Sequence, residues 1–424
     1  MAQLYASAIF RIPAFIVITL LYVHSAWATK APPDPLFGRI DSIVKTLSSI
    51  SGLNEEHPVP VGRISQGQLR KFLSHRIKTS LKPKEAYADE LSLKMFGLVP
   101  ADFDLRKSTV DLLTEQAAAF YDYQEKKLIM LEITPSAPEE LTLSHELAHA
   151  LADQHFNLFK FVEDTNENDD ENLARSAVVE GQASWLMLAY QMRQQGIDSP
   201  PTQQVLSAVE NSGDSSGATF PVFQNAPLYI QQSLLFPYSA GIGFFDAVFK
   251  SRGKEAFSQV FTNPPKDTSQ ILHPDRYFDH QELTTPELPK VQITRAGKEI
   301  GSGSVGEFDH QMMLWQSVGK TAALDLAPHV RGGKFRISEA GKKKLPVLEY
   351  VSVWDSEDHA ASFFTAYETM LRKKWTMCDP LKSTADLFAG KSDSGYFATR
   401  LRGRTVSSVE GLQDFEDWKA VAVD

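Results

Sequence analysis

Three histidines and two carboxylates crowd into "SHELAHALADQHF", residues 144 to 156. His145 and His149 are four apart, so on an α-helix they share a face and both imidazoles reach one ion. Glu146 stands beside them. In an H-E-x-x-H arrangement this carboxylate takes the proton from the attacking water while the ion polarises a carbonyl, which is the chemistry of metal-assisted hydrolysis. Two histidines do not complete such a site, because a catalytic zinc usually has three protein ligands and one open position.

Two residues compete for the third place. His155 completes the spacing H-E-x-x-H-x-x-x-x-x-H, but Ala152 stands where that pattern carries the glycine that turns the chain. If the helix runs on, His155 lies about 600° past His149, roughly 120° away from its face. Glu180, in "ARSAVVEGQASWLMLAY", is the other candidate. Val178, Val179, Trp185 and Leu186 make that segment apolar, and a glutamate is expensive to bury there unless it is paired or holds a metal. Ala174, Ala177, Gly181, Ala183 and Ser184 are small enough to let two helices pass closely. The expected ligand set is His145, His149 and Glu180, a His₂Glu set suited to one Zn²⁺.

Hydrolysis also needs a donor for the developing oxyanion. Tyr238 in "FPYSAG" and His273 in "QILHPDRYF" are the candidates, each in a turn-rich segment. Asp153, one turn beyond His149, is placed to orient a ligand imidazole. "DTNENDDENLAR" invites a calcium reading that fails, with Asp169 at the glycine position and Arg175 at the position of the closing glutamate. It reads as a solvated loop.

The elements that must position these residues are partly legible. Ser136 to Glu139 fits a capping box, and Glu139 and Glu140 suit the first turn of a helix from about Ala137 to His155. A second long helix is expected from about Leu173 to Gln194. "FYDYQEKKLIMLEI" alternates as a hairpin or an edge strand. From about residue 285 the pattern changes to a strand, a helix, and further strands. The fold class is α+β: a mainly helical region with a small sheet over residues 29–285, then a C-terminal α+β region over 286–424.

The net charge of -10 disfavours a nucleic-acid partner. The apolar run from Ile12 to Val23 is shorter than the ~20 residues of a membrane span and suits a signal peptide. Ala26 and Ala28 give an A-x-A site, so cleavage is expected after Ala28, with export to the periplasm or medium and no membrane span remaining. Cys378 is the only cysteine, which excludes an intrachain disulfide.

"HELAHALADQHF" followed by "VVEGQAS" resembles the gluzincin class of zinc metallopeptidases. The chain resembles more closely a poorly characterised family of exported bacterial proteins classed as peptidases. Its other marks are "FYDYQEKKLIML", "FPYSAG", "NPPKDTSQILHPDRYF", "VGEF" and "VSVWDSEDHAASFF", so the likeness covers most of the mature chain. "HVRGGKF" departs from the more aromatic Gly-Trp-Gly-Gly type of turn expected there. The resemblance implies a zincin-like peptidase fold with Glu146 as acid and base. It also implies that "KKLIMLEI" is an edge strand able to pair with an extended protein or peptide substrate. The competing reading is a zincin-like scaffold of the cell envelope that binds without catalysis.

Overall fold

Every side chain from Leu141 to Asp153 is buried, so the histidine-bearing helix runs through the interior. The computed structural model describes residues 15–16, 36–80, 82–132, 139–163, 168–210, 220–291, 293 and 296–423. The expected signal peptide, its cleavage point after Ala28, and Ser136 of the expected capping box lie outside the described residues, Phe15 and Ile16 apart.

Among the helices of the first region, those that frame the histidine-bearing segment are α1 (Ile40–Ser51), α2 (Glu139–Phe156), α3 (Asp169–Gln194) and α4 (Leu228–Arg252). Helix α2 packs on α3, and α3 on α4. The side chain of Asn168 caps α3 by accepting from the Glu171 amide, and Asp169, Asp170 and Glu171 occupy its positive first turn. The acidic segment "DTNENDDENLAR" thus ends as a helix start, its charges at the N-terminus of α3. Helix α3 is buried without a break from Asp170 to Tyr190, as its near-continuous apolar and small residues require.

A small sheet covers α2. Its strands are β1 (Phe15–Ile16), β2 (Val61–Ile64), β3 (Ala119–Asp122) and β4 (Lys127–Leu131), in the order β1-β3-β4-β2. β3 and β4 form the expected hairpin. The expectation that "KKLIMLEI" is an edge strand is corrected: β4 lies between β3 and β2, and β2 joins it in parallel from far upstream.

The C-terminal region is a seven-stranded antiparallel sheet of β5 (Ala296–Ser304), β6 (Val330–Ala340), β7 (Leu345–Trp354), β8 (Cys378–Ser383), β9 (Leu387–Ser392), β10 (Gly395–Arg402) and β11 (Thr405–Leu412). Its order is β5-β6-β7-β11-β10-β9-β8. Helices α5 (Glu307–Val318) and α6 (Glu357–Lys374) pack on each other, and α6 lies on the sheet. "HVRGGKF" is not a turn. It opens β6, with a bulge at Gly332, whose φ of 152° brings it so close to Thr284 that a Cβ would stand 1.9 Å from the Thr284 carbonyl oxygen. One apolar core joins the two regions, with Phe96 edge-on to both Phe335 and Tyr350 at 5.4 Å. Helices and sheets mix in this way as an α+β fold. Among the described residues no helix is long and apolar enough to cross a membrane.

Candidate metal centre

His145 and His149 project from one face of α2 toward Glu180 of α3. The two Nε2 atoms are 2.9 Å apart. Glu180 Oε2 lies 3.2 Å from His145 Nε2 and 3.5 Å from His149 Nε2. All three side chains are at most 1% exposed.

This convergence is hard to satisfy with protons. A proton on either ring serves at most one of the close contacts, and protons on both would collide. His145 Nδ1 has no hydrogen-bond partner among the described residues. A cation resolves the conflict by accepting all three lone pairs. A point equidistant from three atoms so spaced lies about 1.9 Å from each, close to the 2.0–2.1 Å of a zinc–nitrogen bond. The group can hold a metal ion.

The electrostatics agree with ligand chemistry. Burial, reinforced by His149, lowers the His145 pKa and keeps the ring neutral, as a metal ligand must be. Burial pushes the Glu180 carboxyl up, but the two imidazoles more than offset this and hold it below its ordinary value. Glu146 is fully buried, and neither oxygen has a hydrogen bond of normal geometry among the described residues. Burial, and then the charge of Glu180, raise its pKa well above the carboxylate range, while the nearby Tyr121 backbone amide partly opposes the shift. A carboxyl so placed holds its proton more tightly than usual, which suits a proton acceptor.

The other expected residues divide. Tyr238 belongs to the group: its ring lies 6.4 Å from that of His145, and burial and then the charges of Glu180 and Glu146 push its pKa up. It is half-buried and lies within α4, one residue after Pro237. "FPYSAG" is therefore helical, which corrects the turn-rich reading of that segment. His273 does lie between two short helices, but it stands apart from the group, with Nε2 2.7 Å from Glu307 Oε1. Arg276 holds the other oxygen of Glu307 at 2.7 Å. His155 is also elsewhere: α2 continues unbroken, and His155 Nε2 lies 2.8 Å from the Asn54 carbonyl oxygen. Asp153 does not orient an imidazole. Its carboxylate accepts from Tyr121 Oη, Lys126 Nζ and the Leu158 amide, pinning the β3–β4 hairpin to α2.

Tyr123 escaped the reading of the sequence. It follows β3, is 2% exposed, and sets its ring edge-on to His149 at 6.1 Å. Burial and the charges of Glu180 and Glu146 raise its pKa. The signal was present in "FYDYQ", where Tyr121 and Tyr123 share one face of a strand by period two.

A second cluster, His329, Asp355 and His359, has metal-compatible residue types. Here protons suffice. Each Nδ1 bonds a different oxygen of Asp355, at 2.8 and 2.6 Å. The rings stack with centroids 3.6 Å apart, so their in-plane lone pairs run side by side and do not converge. Against its partial burial, the two bonds and Arg331 hold the Asp355 carboxyl down at about 2.

Residues 292–422 match a family described as a domain of unknown function (DUF8575). That stretch covers the seven-stranded sheet and excludes the metal centre. No curated protein and no solved structure matches the chain.

Proposed function

We propose that the chain is an exported zinc-dependent peptide hydrolase of gluzincin type, with His145, His149 and Glu180 as ligands and Glu146 as acid and base. The observation that carries this reading is the buried carboxylate of Glu146, one residue from a ligand histidine in a group whose lone pairs converge. Zinc held there would supply Lewis acidity and make water a nucleophile at neutral pH. Glu146 takes the proton of the attacking water and returns it to the leaving nitrogen. Tyr123 and Tyr238 flank the group, and a phenol of either kind can donate to developing negative charge. The substrate is an extended protein or peptide. The strand nearest the site is β3, which sets Tyr121 beside Glu146 and leads into Tyr123 beside His149.

The ligands and Glu146 are almost wholly buried, and this favours one second reading, a structural ion in a non-catalytic envelope scaffold. Glu146→Gln separates the two. Zinc content measured by elemental analysis and hydrolysis of a mixed peptide pool are compared with the unmutated protein. Retained zinc with hydrolysis down by about 10²–10⁴-fold supports the enzyme. Unchanged function in the variant supports the scaffold.

A further inference from the structure

A helix fixes where its histidines leave the backbone but not how their rings turn, because the last torsion of a histidine side chain is broad. A ligand imidazole is ordinarily held by its second nitrogen, which donates to a carboxylate, a carbonyl or a water. His145 departs from this. Its Nε2 faces His149 and Glu180, and its Nδ1 has no hydrogen-bond partner among the described residues. Its plane is set by aromatic rings instead. Tyr123, His149, His145 and Tyr238 stand in a row. Tyr123 meets His149 at 6.1 Å and 85°, His149 meets His145 at 4.6 Å and 82°, and Tyr238 lies nearly parallel to His145 at 6.4 Å and 29°. Edge-on and offset-parallel pairs at such separations are the favoured ones.

The two ends of the row are held from different elements. Tyr123 follows β3, is buried, and is met edge-on by Tyr121 at 5.5 Å. Tyr238 belongs to α4, which approaches α3 at Gly181 and Gly241 too closely for a Cβ. We propose that Tyr123 and Tyr238 are positioning residues whose rings, not their hydroxyls, clamp the imidazoles of His149 and His145 as metal ligands. This rests on the metal-centre reading. The choice of rings has an electrostatic reason. A carboxylate set to orient either imidazole would add a third negative charge to an interior that already buries Glu146 and Glu180, and each buried charge is costly. A ring orients the ligand without adding charge.

The test uses the intact protein, with zinc affinity measured by competition against a chromophoric chelator and the cobalt(II) absorption spectrum as a readout of ligand geometry. Each tyrosine is replaced by Phe, which keeps the ring, and by Leu, which removes it. Tyr190→Leu is the control: Tyr190 is also buried, but stands ten residues beyond Glu180 on α3, about 15 Å along the helix. We expect Tyr123→Leu and Tyr238→Leu to weaken zinc binding by about 10-fold, the lower end of the cost of losing a partner that orients a ligand, and to shift the cobalt bands. Tyr123→Phe, Tyr238→Phe and Tyr190→Leu should leave both readouts unchanged. If Tyr123→Leu does not fold, Tyr238→Leu, at a half-buried position, carries the test. Unaltered affinity and spectrum in the Leu variants would overturn the proposal and leave the metal centre standing. Phe variants as weak as the Leu variants would also overturn it, since the hydroxyls would then be the acting groups. Equal weakening in Tyr190→Leu would overturn it as general loosening. Absence of bound zinc in the unmutated protein would overturn the metal-centre reading and the proposal with it.

Discussion

Gly181 and Gly241 meet backbone to backbone, and no side chain larger than hydrogen fits between them. Glu180, the proposed third ligand, and Tyr238 both lie within one helical turn of that contact. Gly241→Ala must push α4 off α3. Overpacking of this kind costs about 1–3 kcal/mol. The expected result is a lower melting temperature together with weaker zinc binding, measured by thermal unfolding and by chelator competition. A drop in stability with unchanged zinc affinity would separate the helix contact from the metal centre.

The ligand set has its own test. Zinc that binds only the folded state stabilises by about 2.7 kcal/mol at a hundredfold excess over Kd. Adding a strong chelator should therefore lower the melting temperature of the unmutated protein and of His155→Ala. It should have no effect on His145→Ala, His149→Ala or Glu180→Ala, whose zinc is already lost. A chelator response that disappears in His155→Ala would place the third ligand at the end of α2 instead.

These residues were legible to different degrees, for physical reasons. The i, i+4 histidines and the glutamate stranded in an apolar helix carry their meaning in local sequence, because helix geometry and the cost of buried charge act locally. Both the α+β class and the burial of α3 follow from such patterns. Pro237 and Gly241 are ordinarily helix breakers, so the sequence around Tyr238 resembles a turn; here both sit inside α4, and Gly241 makes a close crossing that only the partner helix reveals. β4 was read as an edge because its second neighbour, β2, comes from more than sixty residues upstream and its four residues carry little strand signal. The glycine pair of "HVRGGKF" was read as a turn, but it serves a bulge against Thr284. Each misreading concerns a long-range contact.

Asp153 distinguishes an anchor from a ligand-orienting role. Its carboxylate gathers Tyr121, Lys126 and the Leu158 amide. Asp153→Ala leaves the buried phenol and amide unsatisfied, at about 1–3 kcal/mol each before relaxation. The expected outcome is a clear loss of stability in denaturant unfolding with zinc stoichiometry intact. Loss of zinc at temperatures where the variant remains folded would restore the idea that Asp153 orients a histidine.

Asp309 makes stability depend on pH in the opposite sense to most carboxylates. It begins α5, accepting from the Gly306 amide at 3.0 Å and from the Tyr229 hydroxyl at 2.9 Å. Burial outweighs both bonds and raises its pKa from 3.8 to about 6. A carboxyl with a raised folded-state pKa binds its proton more tightly when folded. Its contribution is therefore fully present below about pH 4 and is lost as pH rises through about 6. A shift of two units corresponds to about 3 kcal/mol at most. Asp309→Asn keeps an acceptor for Gly306 and removes the titration. Measured from pH 4 to pH 8, the stability difference between the variant and the unmutated protein should move in favour of the variant as pH rises, most steeply around pH 5, midway between the two pKa values. Asp355, held at about 2 by its histidines, runs the other way and only below that window, so a pH-independent difference would mean that the Asp309 carboxyl is already ionised at acidic pH, with its charge compensated within the seam between the two regions.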